Sequence, residues 1–109
     1  MTDKRTMSKY HAVKTNGYAS KKEARRAEEL KLLLFVGKIS ELIEQVPFEL
    51  APSVHVQGRK RPPLRYICDF TYLENGVRIY EDCKGFRTPI YILKRHLMKH
   101  LYCIDIRET

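Results

Sequence analysis

The sequence has no tryptophan, five glycines and three cysteines in 109 residues. Cys68, Cys83 and Cys103 stand at irregular spacing, with no C-x-x-C pair and no even disulfide framework. A disulfide-stapled secreted scaffold is therefore excluded, and a reduced, cytosolic protein is expected. Long apolar runs are missing as well. The longest, Leu32 to Val36, falls far short of a membrane span, so no membrane partner is expected. Residues 1–22 are polar and basic, without the apolar stretch of a signal peptide. Acids are scarce beside bases, 13 against 21 Lys and Arg, and the net +8 should attract a polyanion. What remains is ordinary: 43% hydrophobic and 31% charged residues, enough for one globular domain and too few for a second.

The basic charge is clustered. Residues 1–26 carry eight Lys or Arg and two acids. Among the eight are Lys21, Lys22, Arg25 and Arg26. Arg59-Lys60-Arg61 with Arg65 makes a second cluster, and Lys94, Arg95 and Lys99 a third. One such cluster is usually a solvated face; three with this net charge point to nucleic acid.

Residues 1–17 lack apolar periodicity and read as a basic arm ending at Asn16-Gly17, leaving 18–109 as the folded domain. Ser20-Lys21-Lys22-Glu23 reads as a capping box that opens a helix running to about Val36, with Gly37 as the stop. Ala27, Leu30 and Leu34 form its core-facing stripe, and Glu23 stands at the N-terminal end of that stripe. Residues 42–50 alternate as a strand, with Pro47 marking an edge or bulge, and 54–56 also read as extended. Gly58 to Pro63 is a basic loop. Arg65 to Leu73 is a strand rich in Tyr, Ile and Phe, and Asn75-Gly76 turns it into a returning strand over Val77 to Lys84. Thr88-Pro89 opens a second helix with Ile90, Leu93, Leu97 and Leu101 inward. Tyr102 to Ile106 is the last strand, reached by a connection long enough for a parallel crossover. The expected fold is α/β: a mixed sheet flanked by two helices.

The hairpin fixes a constellation. With Asn75 and Gly76 in the loop, Glu74 faces Val77, and counting outward sets Asp69 directly across from Asp82, Cβ atoms about 5 Å apart. Two facing carboxylates repel unless a proton or cation lies between them. Lys84 stands one pleat along, opposite Ile67. A bulge or longer loop would shift this register. Two acids and a lysine on central strands suit metal-assisted phosphodiester hydrolysis: the acids hold Mg²⁺, and the lysine orients water or offsets developing charge.

Asp69, twelve intervening residues, then Asp82-Cys83-Lys84 resembles the motif of the PD-(D/E)xK nucleases. Further segments, Ser20-Lys21-Lys22-Glu23-Ala24, Tyr66-Ile67-Cys68-Asp69-Phe70, Glu81-Asp82-Cys83-Lys84-Gly85 and Thr88 with Lys94-Arg95, are similar to a phage-encoded branch of predicted PD-(D/E)xK endonucleases, over roughly residues 9–107. Cys68 stands where the motif has proline, a variable position that carries no ligand. The resemblance implies a restriction-endonuclease-like αβββαβ core. It makes Asp69, Asp82 and the Cys83 backbone carbonyl ligands of Mg²⁺, with Mn²⁺ able to substitute, and Lys84 the catalytic lysine. It also maps a helix-borne glutamate of junction-resolving members onto Glu23, and Gln45 onto an auxiliary polar position. The implied activity is Holliday-junction-resolvase-like cleavage of branched or recombination-intermediate DNA, by a homodimer in the host cytoplasm.

Bland readings stand beside these. Glu23 taken alone reads as a capping-box residue, and its place at the end of the buried stripe together with the resemblance favours the site. Glu81 points to the other face of a regular strand and is structural or surface. His96 and His100 have i, i+4 spacing but no third ligand, which suits a solvated helix face, and the three cysteines read as buried strand residues. Lys21, Lys22, Arg25, Arg26, Arg59, Lys60, Arg61, Arg65, Arg87, Lys94 and Arg95 are the expected DNA-binding set. A non-catalytic nucleic-acid-binding protein could use the same basic surface, but would gain nothing from two facing acids near phosphates. A structural component of a phage particle would explain neither the acids nor the charge.

Overall fold

The computed structural model describes residues 17–109, so the basic arm and its lysines lie outside the described residues, except for Gly17. The described residues divide into two compact units, one ending at Lys38 and the other spanning Ile39–Thr109. In the first, α1 spans Lys21–Phe35. Ser20 is its N-cap, and its hydroxyl accepts the Glu23 amide at 3.1 Å, as the capping box requires. Glu23, Ala24, Ala27 and Leu30 are buried. Leu34, expected on the same stripe, is 41% exposed.

The second unit holds a four-stranded sheet in the order β1-β4-β5-β6 and a separate two-stranded ribbon, β2-β3. Its strands are β1 Ser40–Ala51, β2 Val54–Val56, β3 Arg59–Arg61, β4 Leu64–Glu74, β5 Val77–Asp82 and β6 Arg107–Glu108, with α2 over Pro89–Tyr102. β4 pairs antiparallel with both β1 and β5, and β6 lies parallel to β5. The order is helix, three sheet strands, helix, strand, with the parallel crossover predicted from connection length. The fold is α/β with a mixed sheet. Among the described residues no helix is long and apolar enough to cross a membrane.

Five expectations are corrected. The basic loop over 58–63 is half strand: Arg59–Arg61 pairs with Val54–Val56 around a two-residue turn at Gln57 and Gly58. The returning strand stops at Asp82, so Lys84 lies beyond it. The last strand is Arg107–Glu108, because α2 keeps its helical bonds through Tyr102 and ends on Cys103 in the left-handed conformation, φ 58. The buried face of α2 is Tyr91 and Met98, with Leu97 beside them, whereas Ile90, Leu93 and Leu101 are exposed. Tyr91 and Met98 join Leu50, Tyr66 and Cys68 in the core between α2 and the sheet. Of the cysteines only Cys68 is a buried strand residue; Cys83 is half-buried past β5 and Cys103 is exposed.

Candidate functional site

β4 and β5 form the predicted Asn75-Gly76 hairpin in the predicted register, from Glu74↔Val77 out to Phe70↔Glu81. Asp69 and Asp82 follow immediately outside that last pair. They are not a bare pair of repelling acids, since each has its own partners. Asp69 accepts the Cys83 amide on Oδ2 at 3.0 Å and the Gln45 Nε2 on Oδ1 at 3.4 Å. Gln45 itself sits in β1 with φ 55, a left-handed backbone conformation inside a strand.

Asp82 is 1% exposed. Its Oδ2 accepts the Tyr66 hydroxyl at 2.6 Å and lies 3.4 Å from the Lys84 ammonium. Burial, reinforced by this carboxylate, raises the Tyr66 phenol far above its ordinary range, so it remains a donor. Lys84 also lies over the ring of Tyr91, 4.4 Å from its centroid, a cation–π distance. The backbone locks the segment: the Thr109 amide donates to Asp82 O and the Lys84 amide to Thr109 O, at 3.0 and 3.1 Å.

Tyr91 is held in turn. Its hydroxyl donates to Glu108 Oε2 at 2.7 Å, where the Arg95 guanidinium also donates at 2.7 Å, and Arg87 Nε donates to Oε1 at 2.7 Å. The Arg87 hydrogen bond, followed by the one from Tyr91, draws the Glu108 carboxyl down to about 2. Tyr66, Tyr91 and Glu108 are the members of this network that sequence reasoning missed. A tyrosine in a strand or on a helix face carries no signal for the carboxylate it will meet, and a last strand over Tyr102 to Ile106 stops short of Glu108.

The remaining candidates lie on several elements. Glu23 lies in the third position of α1, buried, in the first unit. Lys21, Lys22 and Arg25 are exposed on α1, and Arg26 pairs with Glu29 at 3.1 Å. Arg59, Lys60 and Arg61 are exposed on β3, and Arg65 is exposed on β4. Arg87 and Arg95 both engage Glu108, so their charge is in part already met. Lys94 lines a cavity of about 260 Å³ together with Lys84, Thr88, Tyr66 and Tyr91. Glu81 is completely buried rather than at the surface, accepting the Tyr72 and Thr109 hydroxyls. His96 and His100 are exposed, in keeping with a solvated helix face.

Among the described residues no group of three or more His, Cys, Asp or Glu side chains gathers to hold a metal ion. Asp69 and Asp82 supply two carboxylates, the number by which Mg²⁺ is commonly held while it keeps several waters. Both contacts named for the buried Asp82 fall on Oδ2, and its Oδ1 takes neither. An all-oxygen donor set with one buried carboxylate oxygen uncommitted suits a hard cation.

One family model, described as a protein of unknown function (DUF1064), matches residues 7–109. No curated protein matches the chain.

Proposed function

We propose that this chain, which belongs to the DUF1064 family, is a metal-dependent DNA endonuclease with a restriction-endonuclease-like core. Its substrate is branched or recombination-intermediate DNA of a phage or prophage, and it acts in the host cytoplasm. The observation that carries the reading is the ammonium of Lys84 held 3.4 Å from a buried aspartate, with a second aspartate bonded to the intervening residue's amide. A packing-only sheet has no use for that charge set.

Asp69, Asp82 and the Cys83 carbonyl would hold Mg²⁺, or Mn²⁺ in its place, which polarises a phosphoryl oxygen and lowers the pKa of a bound water. Lys84 contributes fixed positive charge where the phosphoryl oxygens gain negative charge, and its ammonium is oriented by Asp82 and by the Tyr91 face. Tyr66 holds the Asp82 carboxylate in one rotamer. Gln45 and the Cys83 amide do the same for Asp69. The exposed basic residues supply phosphate contacts that carry no base sequence. One such site cuts one strand, so symmetrical cleavage calls for a second copy.

The test is incubation of the whole chain with four-way junction, duplex and single-stranded DNA, in Mg²⁺ and in EDTA. Cleavage of the junction in Mg²⁺, absent in EDTA and absent in Asp82→Asn, is expected. Binding without cleavage under all conditions would overturn the enzyme in favour of a non-catalytic DNA-binding protein.

A further inference from the structure

The ladder between β1 and β4 runs out to Ala51↔Leu64, halts at Pro52, Pro62 and Pro63, and resumes in the same register at Val54↔Arg61. Proline has no amide to donate, so the interruption follows from the sequence. The β2-β3 ribbon is therefore the continued tip of one long hairpin, closed by Gln57 and Gly58, both with positive φ, 52 and 77. Every residue from 52 to 62 is exposed. A three-pair ribbon this exposed buries little that would stabilise it alone.

We infer that this ribbon is an arm that enters a groove of duplex DNA. The inference rests on the reading of DNA as the partner and adds which form of DNA and which part of it. Residues 52–64 contain His55, Arg59, Lys60 and Arg61 and no acid. None of the three consecutive bases has an ion pair among the described residues, so their charge is available to a polyanion. The register sets Val54 and Val56 beside Arg61 and Arg59 on one face, with His55 and Lys60 on the other.

Dimensions favour a groove. From Ala51 to the turn the ribbon reaches about 20 Å at strand rise, more than the roughly 8.5 Å depth of a major groove about 12 Å wide, which admits a two-stranded ribbon. Val54 and Val56, 50% and 46% exposed, offer methyl contacts to thymine edges, and the neighbouring arginines reach guanine edges or phosphates. Single-strand binders instead need aromatic rings on which bases stack, and residues 52–64 contain no Phe, Tyr or Trp.

The experiment is fluorescence anisotropy of the whole chain in EDTA, where nothing is cut, with a labelled 30-base-pair duplex and its single strand, across a salt series. Arg59→Ala/Lys60→Ala/Arg61→Ala should lose at least tenfold in duplex affinity, with the slope of log affinity on log salt falling by about two to three. Val54→Ser/Val56→Ser leaves the charge untouched. It should lose several-fold in duplex affinity at unchanged slope and leave single-strand binding alone. Melting temperatures near wild type check that the exposed substitutions leave the fold intact. Wild-type duplex affinity in the triple variant overturns the arm. So does a neutral valine pair, which would mean phosphate contact only, or equal losses on both DNAs. Duplex binding by wild type with no cleavage in Mg²⁺ would remove the nuclease reading and leave the arm standing; cleavage with unaffected variants would do the reverse.

Discussion

A carboxylate taken out of water must find donors or charge partners, and Asp82 has one of each, Tyr66 and Lys84. This alters what its replacement should do. Facing acids alone would make Asp82→Asn stabilising, but the structure gives Asp82 two favourable partners. An asparagine carbonyl still accepts from Tyr66, so Asp82→Asn should melt within a few degrees of wild type while cleavage disappears. Asp82→Ala leaves the buried Tyr66 hydroxyl without its acceptor and should cost about 1–3 kcal/mol. Denaturant unfolding of the two variants checks the order; equal stability would mean that Tyr66 finds another acceptor. Asp69 and Asp82 were legible at the open end of the hairpin because the turn fixes the register up to Phe70↔Glu81, whereas Lys84 lies past the end of β5, where register no longer places a residue. Tyr66 was not legible as a partner. Its hydroxyl reaches Asp82 sixteen residues away in the chain, and a Tyr in a strand reads only as β-propensity.

β6 is two residues long, and it is held as much by side chains as by the sheet. Glu108 is gripped by Arg87 ahead of α2 and by Tyr91 and Arg95 within it, so one carboxylate ties the last strand to the helix. Its carboxyl is depressed from an ordinary 4.5 to about 2. A depressed carboxyl contributes stability that is fully present above its unfolded value and is lost as pH falls through the folded one. The clamp should therefore hold at pH 6 and weaken between about pH 4.5 and pH 2. Glu108→Gln should melt below wild type at pH 6, with the gap closing by about pH 2. Thermal melts across that range read it, and a gap constant with pH would mean that the charge contributes nothing. The sequence showed the helix and the parallel return but misplaced this strand. The αL position that stops α2 is filled by Cys103 rather than glycine, and Ile104 and Ile106 imitate strand alternation while packing against the core.

At the scale of the molecule, the stripe Ile90, Leu93, Leu97, Leu101 shows why periodicity identifies a face without identifying what covers it. The spacing marks one side of a helix whether that side meets its own sheet or another chain. Within this chain the core takes Tyr91 and Met98 instead, and Ile90, Leu93 and Leu101 remain 66%, 59% and 47% exposed. Contiguous apolar side chains at that exposure are unfavourable on a lone soluble protomer and are a usual mark of association. The proposed reaction asks for the same thing, since two strands need two sites and a twofold axis brings like surfaces together. We therefore expect a second copy, if the reaction uses one, on the α2 stripe. Leu93→Glu places a charge in its middle without touching Asp69, Asp82 or Lys84. Sedimentation equilibrium should find wild type dimeric and Leu93→Glu monomeric, with the melting temperature of the variant at low concentration close to that of wild type. On a four-way junction the wild type should then cut paired strands in one encounter, and the variant should leave single nicks. A wild type that stays monomeric at high micromolar concentration, with and without junction DNA, would sink the dimer and leave the stripe as an exposed face.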